Sequence, residues 1–550
     1  MSDEEDTSTL LGDKLDGRKV MDLAKPPPQV VKVDHSVNAV STRNDVLLTA
    51  LVAGFSGFCF GFDVGLCTHI LPHVKNEFNL ACSEEYVHTI VWLIGALLSS
   101  LLGGMVIDSC GRRCGMMFST VVMVLGLLLT GVTHSYPVFL CGRLLSGAGG
   151  ALSAVAQCVY AAEASRDSHR GRLVTGHQLG AAAGSLACGA GLLWGGLPWR
   201  AVLWMPLVPA CVQAVAVATG LPESPHFRLL RMSQGGQARS SCRVPPSVLE
   251  VSALAAGLVL FQQLSGRFAV LDLARRLLTA LGVCPEASAT VTSVALGLVK
   301  VCAVCVSLSV VDRLGRRPVL LLGAVCMAVS LVATAVLSTL DMGPATAEGE
   351  LSFAAGVPLA APELPTGAPP PFPMLPTPLS LAVSSPQCRA APLPLGLPPG
   401  AGYAALLALL CAEAAYCFSW WPVAWLLLAE LFPAAVRGRS VAAAAALYWL
   451  LDVLVPPALP RLTDALSIQG TFLLHSMICL ISLLFIFLFV PETKGKTFHQ
   501  ISQELKSTSS ATRMFQNLRQ LPGLRGNEWI RHRSAQYRPV SHAIAESAVI

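Results

Sequence analysis

Long apolar runs, broken by short polar and basic stretches, dominate the chain from about residue 46 to residue 490. Windows of about 20 residues almost free of charge are long enough to cross a hydrocarbon core of roughly 30 Å as helix. Lipid cannot satisfy open backbone groups, so helices are required. Twelve spans are predicted, within residues 46–70, 87–107, 114–134, 137–160, 173–195, 200–221, 249–271, 288–311, 318–340, 401–430, 441–460 and 471–490. The reading is an all-α membrane protein. A polar stretch of some 45 residues precedes the first span, so no cleavable secretory signal is expected.

Composition agrees with the pattern. Of 550 residues, 53% are apolar and 13% charged, too greasy for a soluble domain of that length. Charge fixes the expected orientation. Loops carrying Arg112 and Arg113, Arg170 and Arg172, Arg316 and Arg317, and Arg437 and Arg439 alternate with loops poorer in Lys and Arg. The richer set is expected on the cytosolic side, which with an even number of spans puts both termini in the cytosol. The net charge of +5 follows from that topology, and no nucleic-acid partner is expected.

The sequence repeats itself. Asp108-Ser-Cys-Gly-Arg112-Arg113 follows the second span and Asp312-Arg-Leu-Gly-Arg316-Arg317 the eighth. Glu163 precedes Arg170-Gly-Arg172 as Glu430 precedes Arg437-Gly-Arg439, and Pro222-Glu223 closes the sixth span as Pro491-Glu492 closes the twelfth. Partner motifs follow spans of the same direction, so the halves are parallel repeats around a central cavity. The expected organisation is an N-terminal tail at 1–45, a six-helix bundle at 46–221, a linker at 222–248, a second bundle at 249–495 and a C-terminal tail at 496–550. Proline-rich residues 341–400 interrupt the second half and read as a long extracellular loop.

Acids and guanidinium groups at equivalent helix ends can form bidentate salt bridges that hold the bundles in one state. Glu163, Arg113, Glu430 and Arg317 are the leading members of this expected cytosolic gate, with Arg112, Arg170, Arg172, Arg316, Arg437 and Arg439 around them and Asp108 and Asp312 at the loops. The alternative is that these arginines only obey the positive-inside rule; recurrence of complete motifs weighs against it.

The two DxxGRR and two ExxxxxxRGR motifs, with Pro222-Glu-Ser-Pro225, Gln262-Gln-Leu-Ser-Gly266 and Pro491-Glu-Thr-Lys-Gly495, resemble the sugar porter family of the major facilitator superfamily. The loop between the ninth and tenth spans and Gly297-Leu-Val-Lys300 are similar to class III facilitative glucose transporters, members ten and twelve above all. The resemblance implies the major facilitator fold, two pseudo-symmetric six-helix bundles, and alternating-access transport of a hexose, facilitative or proton-coupled. It also implies substrate contacts from Gln178, Gln262, Gln263 and Trp425. A polyol needs amide and indole donors beside an aromatic wall, which these residues supply. A lone membrane Gln can otherwise serve as an interhelical hydrogen bond.

Departures from the family leave other solutes open, a polyol, dehydroascorbate or an organic anion, as well as a transport-dead sugar sensor. Arg267-Phe268-Ala269 stands where an Asn is usual, and Tyr448 stands for the Asn before Trp449. Asp63 occupies the place of the aspartate in proton-coupled sugar porters, with Arg143 as its partner; a permanent ion pair is the alternative. Lys300, Asp272 and Asp452 are further intramembrane charges. Gly147-Ala-Gly149-Gly150 reads as close helix packing. No metal cluster, nucleophile with base or phosphate loop stands out, so neither an enzyme nor a cofactor is expected. Asp6-Thr-Ser-Thr-Leu10-Leu11 fits an acidic dileucine signal, giving a sorting adaptor as a partner and plasma or endosomal membranes as the location.

Overall fold

The computed structural model describes residues 43–81, 84, 87–193, 198–234, 246–280, 285–339, 399–507 and 512. The tail with Leu10 and Leu11, residues 341–398 of the expected loop and most of the C-terminal tail lie outside the described residues. Within them every regular element is a helix. The first half runs α1 (Arg43–His69), α2 (Leu71–Phe78), α3 (Val87–Cys110), α4 (Arg112–Val132), α5 (Tyr136–Ala164), α6 (Arg170–Leu193), α7 (Trp199–Val202) and α8 (Leu207–Thr219). After α9 (Pro225–Gln234) come α10 (Pro246–Leu264), α11 (Arg267–Ala280), α12 (Pro285–Leu314), α13 (Arg316–Thr339), α14 (Pro399–Phe418), α15 (Trp420–Leu431), α16 (Arg437–Phe489) and α17 (Phe498–Ser507).

Ten of these segments, counted among the described residues, are long and apolar enough to span. One of the ten is α16, whose 53 residues are two arms meeting at Ser467, where φ is 63°. The 24-residue α6 is long enough but less apolar, because it lies between α1 and α12. Counting both arms of α16 and adding α6 gives twelve membrane helices.

Within the first half, α1 packs on α6, and α5 is pressed between α3 and α4. Glycine permits that approach. A Cβ at Gly147 would stand 2.2 Å from the Trp92 carbonyl oxygen, and one at Gly149 would stand 2.4 Å from the Met123 amide nitrogen. The glycine run is therefore a packing surface. The halves meet along α3 with α16 and along α6 with α12, two equivalent seams that enclose a central space. At one end of that space lie the Gly-Arg-Arg motifs; we refer to it as the basic end.

Candidate transport site and interbundle clasp

At the basic end each glutamate closing a long helix collects arginines from both halves. The Glu163 carboxylate accepts from Arg112 Nε and Nη2, both at 3.1 Å, within its own half. It also accepts from Arg437 Nη1 of the other half at 2.9 Å. Its counterpart Glu430 accepts from Arg316 Nε at 3.3 Å and Nη2 at 2.9 Å, and Arg170 Nη1 of the first half lies 3.6 Å away. Hydroxyls complete each carboxylate: Ser224 donates to Glu163, and Thr493 to Glu430 at 2.6 Å. All six charged groups are buried, where bidentate pairing offsets the lost hydration.

Two aspartates cross the boundary as helix caps. Asp108 accepts from the Gly438 and Arg439 amides at 3.1 and 2.9 Å, at the start of α16. Asp312 accepts from the Gly171 and Arg172 amides at 3.1 and 3.0 Å, at the start of α6. A carboxylate there satisfies unpaired helix N–H groups and meets the positive end of the dipole. The Arg172 and Arg439 side chains lie 3.9 Å from these same aspartates, at the outer edge.

The expected pairing of Arg113 and Arg317 with the glutamates is corrected. The first arginine of each Gly-Arg-Arg carries the ion pair. Arg113 Nε donates to the Val217 carbonyl at 2.9 Å, and Arg317 Nη2 donates to the Phe487 carbonyl. The aspartates reach both ways: each caps a helix of the opposite half and also pairs with the first arginine of its own motif, Asp108 with Arg112 at 3.4 Å and Asp312 with Arg316 at 3.1 Å. Sequence reasoning missed two further parts. Glu223 accepts from the Arg112 amide at 3.0 Å and Glu492 from the Arg316 amide at 3.1 Å, a role signalled by the repeated Pro-Glu. Phe498, at the start of α17, lies between Arg170 and Arg437, with its ring centroid 3.9 and 3.8 Å from the two guanidinium carbons. No repeat announced it.

A narrow cavity lies between the halves, lined by Phe60, Ala154, Cys158, Val174, His177 and Gln178 of the first and Trp421, Trp425, Tyr448 and Trp449 of the second. The Trp425 and Tyr448 rings stand 5.6 Å apart and those of Tyr448 and Trp449 4.9 Å, which makes one wall aromatic. Two of the four expected substrate residues, Gln178 and Trp425, are in this lining; Gln262 and Gln263 are not. Gln262 Nε2 donates to Tyr416 Oη at 3.5 Å, and Gln263 Nε2 to the Tyr448 carbonyl at 3.0 Å and Asp452 Oδ1 at 2.7 Å. Trp449 Nε1, beside the cavity, is a buried donor without a partner among the described residues.

Asp63 and Arg143 form a fully buried pair, with Nη1 to Oδ1 at 2.7 Å. The second carboxylate oxygen accepts from Trp92 Nε1 at 2.6 Å. Trp92 stacks edge-on against Trp449 at 5.6 Å, which links the Asp63 pair to the cavity wall. The other intramembrane charges also have partners: Lys300 with Glu413 at 3.5 Å, Asp272 with Arg275 and Arg276, and Asp452 with Arg267.

Seams that mirror each other, clasps that cross them and a polar-aromatic space between make this a membrane transporter of the major facilitator type. The chain belongs to the Sugar (and other) transporter family, whose profile matches residues 49–246, 243–357 and 384–505. It is similar to the Homo sapiens solute carrier family 2, facilitated glucose transporter member 10, with 31% identity over 507 residues, 84% of this chain and 93% of that one. Homo sapiens member 12 is 26% identical over 531 residues, 83% of this chain and 85% of that one. Among solved structures, the proton:xylose symporter XylE bound to 6-bromo-6-deoxy-D-glucose has a TM-score of 0.64 at 22% identity, covering 84% of this chain and 99% of that one. The E. coli fucose:proton symporter FucP has a TM-score of 0.53 at 13% identity, covering 80% and 98%. Such transporters move a solute without covalent chemistry, and this chain is not an enzyme.

Proposed function

We propose that the chain carries a neutral hexose by alternating access, with the solute seated between Gln178 and the Trp425 wall. The observation that carries the reading is the cavity between the halves, where the Gln178 amide shares a lining with a wall of tilted and edge-on aromatic rings. Amide groups can both donate to and accept from sugar hydroxyls, and the rings cover the sugar's apolar C–H face. The basic end is the cytosolic gate in this reading, closed by Glu163, Glu430 and their arginines, with both termini in the cytosol. Rocking of the two bundles breaks that clasp and opens the cavity to the other side.

Asp63 is the candidate proton carrier. Its carboxylate is engaged by Arg143 and Trp92, so releasing it requires the first bundle to rearrange. The relatives bear names of both kinds, facilitated transporter and proton symporter, and we place the decision on Asp63. Residence in plasma or endosomal membranes, with a sorting adaptor reading Leu10 and Leu11, completes the proposal.

The test is uptake of labelled hexose into proteoliposomes, with and without a pH gradient. Gln178→Ala is expected to cut uptake at least about tenfold, since an amide-to-hydroxyl bond in a dry site discriminates strongly. Asp63→Asn is expected to abolish any acceleration by the gradient while leaving sugar binding in place. Uptake unchanged by Gln178→Ala, or sugar binding without any passage, would sink the carrier reading. The crowded aromatic wall of Trp421, Tyr448 and Trp449 favours one second reading, a smaller or flatter solute such as dehydroascorbate, which would then outcompete hexose in the same vesicles.

A further inference from the structure

The second half holds a charge pair that the proposed sugar contacts do not use. Arg267, at the start of α11, reaches Asp452 in α16, Nη2 to Oδ1 at 3.2 Å. Its guanidinium carbon also lies 4.5 Å from the Phe268 ring centroid and 5.9 Å from that of Tyr416. The same Asp452 oxygen accepts from Gln263 Nε2 at 2.7 Å, and that nitrogen also donates to the Tyr448 carbonyl at 3.0 Å. An ionised carboxylate and a carbonyl can only accept, so both amide protons of Gln263 are committed. The orientation of this amide is therefore set by its partners. Its other end, Oε1, is buried and has no partner among the described residues, in a side chain only 1% exposed. A buried acceptor left unpaired is unfavourable, and a donor supplied by a solute would relieve it.

We propose that Asp452, held by Arg267, is a positioning residue that fixes Gln263 as a hydrogen-bond acceptor and so makes the site select solutes that present a hydroxyl donor at one carbon. This rests on reading Gln263 as a sugar contact. Gln263 stands behind the cavity wall, tied to the backbone of Tyr448, whose side chain lines the cavity, and the proposal seats one solute hydroxyl against it beyond that ring. A glutamine without such neighbours can rotate and either give or take a hydrogen bond. Here that freedom is removed, and a keto group or a fluorine at the same carbon, which accept but do not donate, is rejected.

The experiment measures equilibrium binding of a hexose and its monofluoro-deoxy analogues to the purified full chain, by quenching of the cavity tryptophans. With wild type, one fluoro analogue is expected to bind at least about tenfold more weakly than the parent sugar, because a donor-seeking site penalises its loss. In Gln263→Leu the parent is expected to weaken until the two bind alike. In the charge-neutral Arg267→Gln/Asp452→Asn pair an amide can donate to Gln263, which frees it to turn; the ratio is expected to fall towards one without loss of parent affinity. In Gln178→Ala parent affinity falls while the ratio stays. A ratio unchanged in Gln263→Leu, or no discriminating analogue in wild type, overturns the proposal. Absence of hexose binding, or binding indifferent to Gln178→Ala, overturns the carrier reading instead, so the two failures are distinct.

Discussion

His226 packs edge-on against Phe498, ring centroids 5.3 Å apart, beside the guanidinium groups that face each other across the bundle boundary. Burial, followed by the charge of Arg437 and Arg170, holds its imidazole below the ordinary value of 6.5, with Glu163 opposing. When the clasp opens and the ring meets water, the ordinary value returns. The open state then binds the proton more tightly, so the closed state is favoured at high pH and loses ground as pH falls below about 6.5. Lowering the pH at the basic face from about 7.5 to about 5.5 is expected to raise the open population, read as spin-label distances between the halves. His226→Phe keeps a ring against Phe498 and is expected to flatten that dependence; an identical profile in the variant would remove His226 from the account. The membership of this clasp was legible because each motif occurs twice. Which arginine of each pair turns inward was not legible, since neighbouring helix positions differ by roughly 100° in direction and the phase depends on where the helix starts. Gly111, with φ of 103°, and Gly315, with φ of 106°, set that start.

Charge-free windows located the membrane helices of the described residues, the less apolar α6 included, but left their interruptions unread. The seventh span breaks between α10 and α11 at Gly266, whose φ of 99° is open to glycine and costly for other residues. In the sequence Ser265-Gly266 reads only as part of a glutamine motif. The structure shows why glycine stands there: a Cβ would lie 3.0 Å from His475 Cβ. Gly266→Ala is expected to destabilise the fold by about 1–2 kcal/mol through the left-handed backbone alone, with a lowered Tm and weakened sugar binding, since Arg267 begins the next helix. A Tm equal to wild type would show that the break relaxes without strain. The eleventh and twelfth spans give the opposite lesson. The predicted spans leave residues 461–470 as a gap between them, yet helix continues through Arg461 and Asp464 to the sharp turn at Ser467. The span α6 was the least apolar of the set because protein, not lipid, surrounds it, and the candidate Gln178 comes from this helix.

Across the whole molecule the two halves hold each other by exchange: each sends an aspartate to cap a helix of its partner and an arginine to the partner's glutamate. A repeat in the sequence shows that the motifs are duplicated; it does not show that they are swapped, because crossing pairs join residues 330 positions apart, as for Asp108 and Gly438. In the proposed cycle the crossing contacts are the ones broken on opening, while within-half pairs such as Glu163 with Arg112 persist, which ties the clasp to the closed state. Removing one cap is worth about 0.5–2 kcal/mol, so Asp108→Ala with Asp312→Ala is expected to shift the closed-to-open ratio by about 2 kcal/mol, roughly 30-fold. Each single variant is expected to give about half that shift in free energy, because the seams are separate and equivalent. Thiol labelling of a cysteine placed at Ala154, in the cavity lining, by an impermeant reagent added at the basic face reads the opening directly. Labelling that rises with the double variant and by similar, smaller steps with each single one fits two independent latches. A double variant no more reactive than wild type would mean that the glutamate pairs alone hold the halves, and that the crossing caps serve only to start α6 and α16.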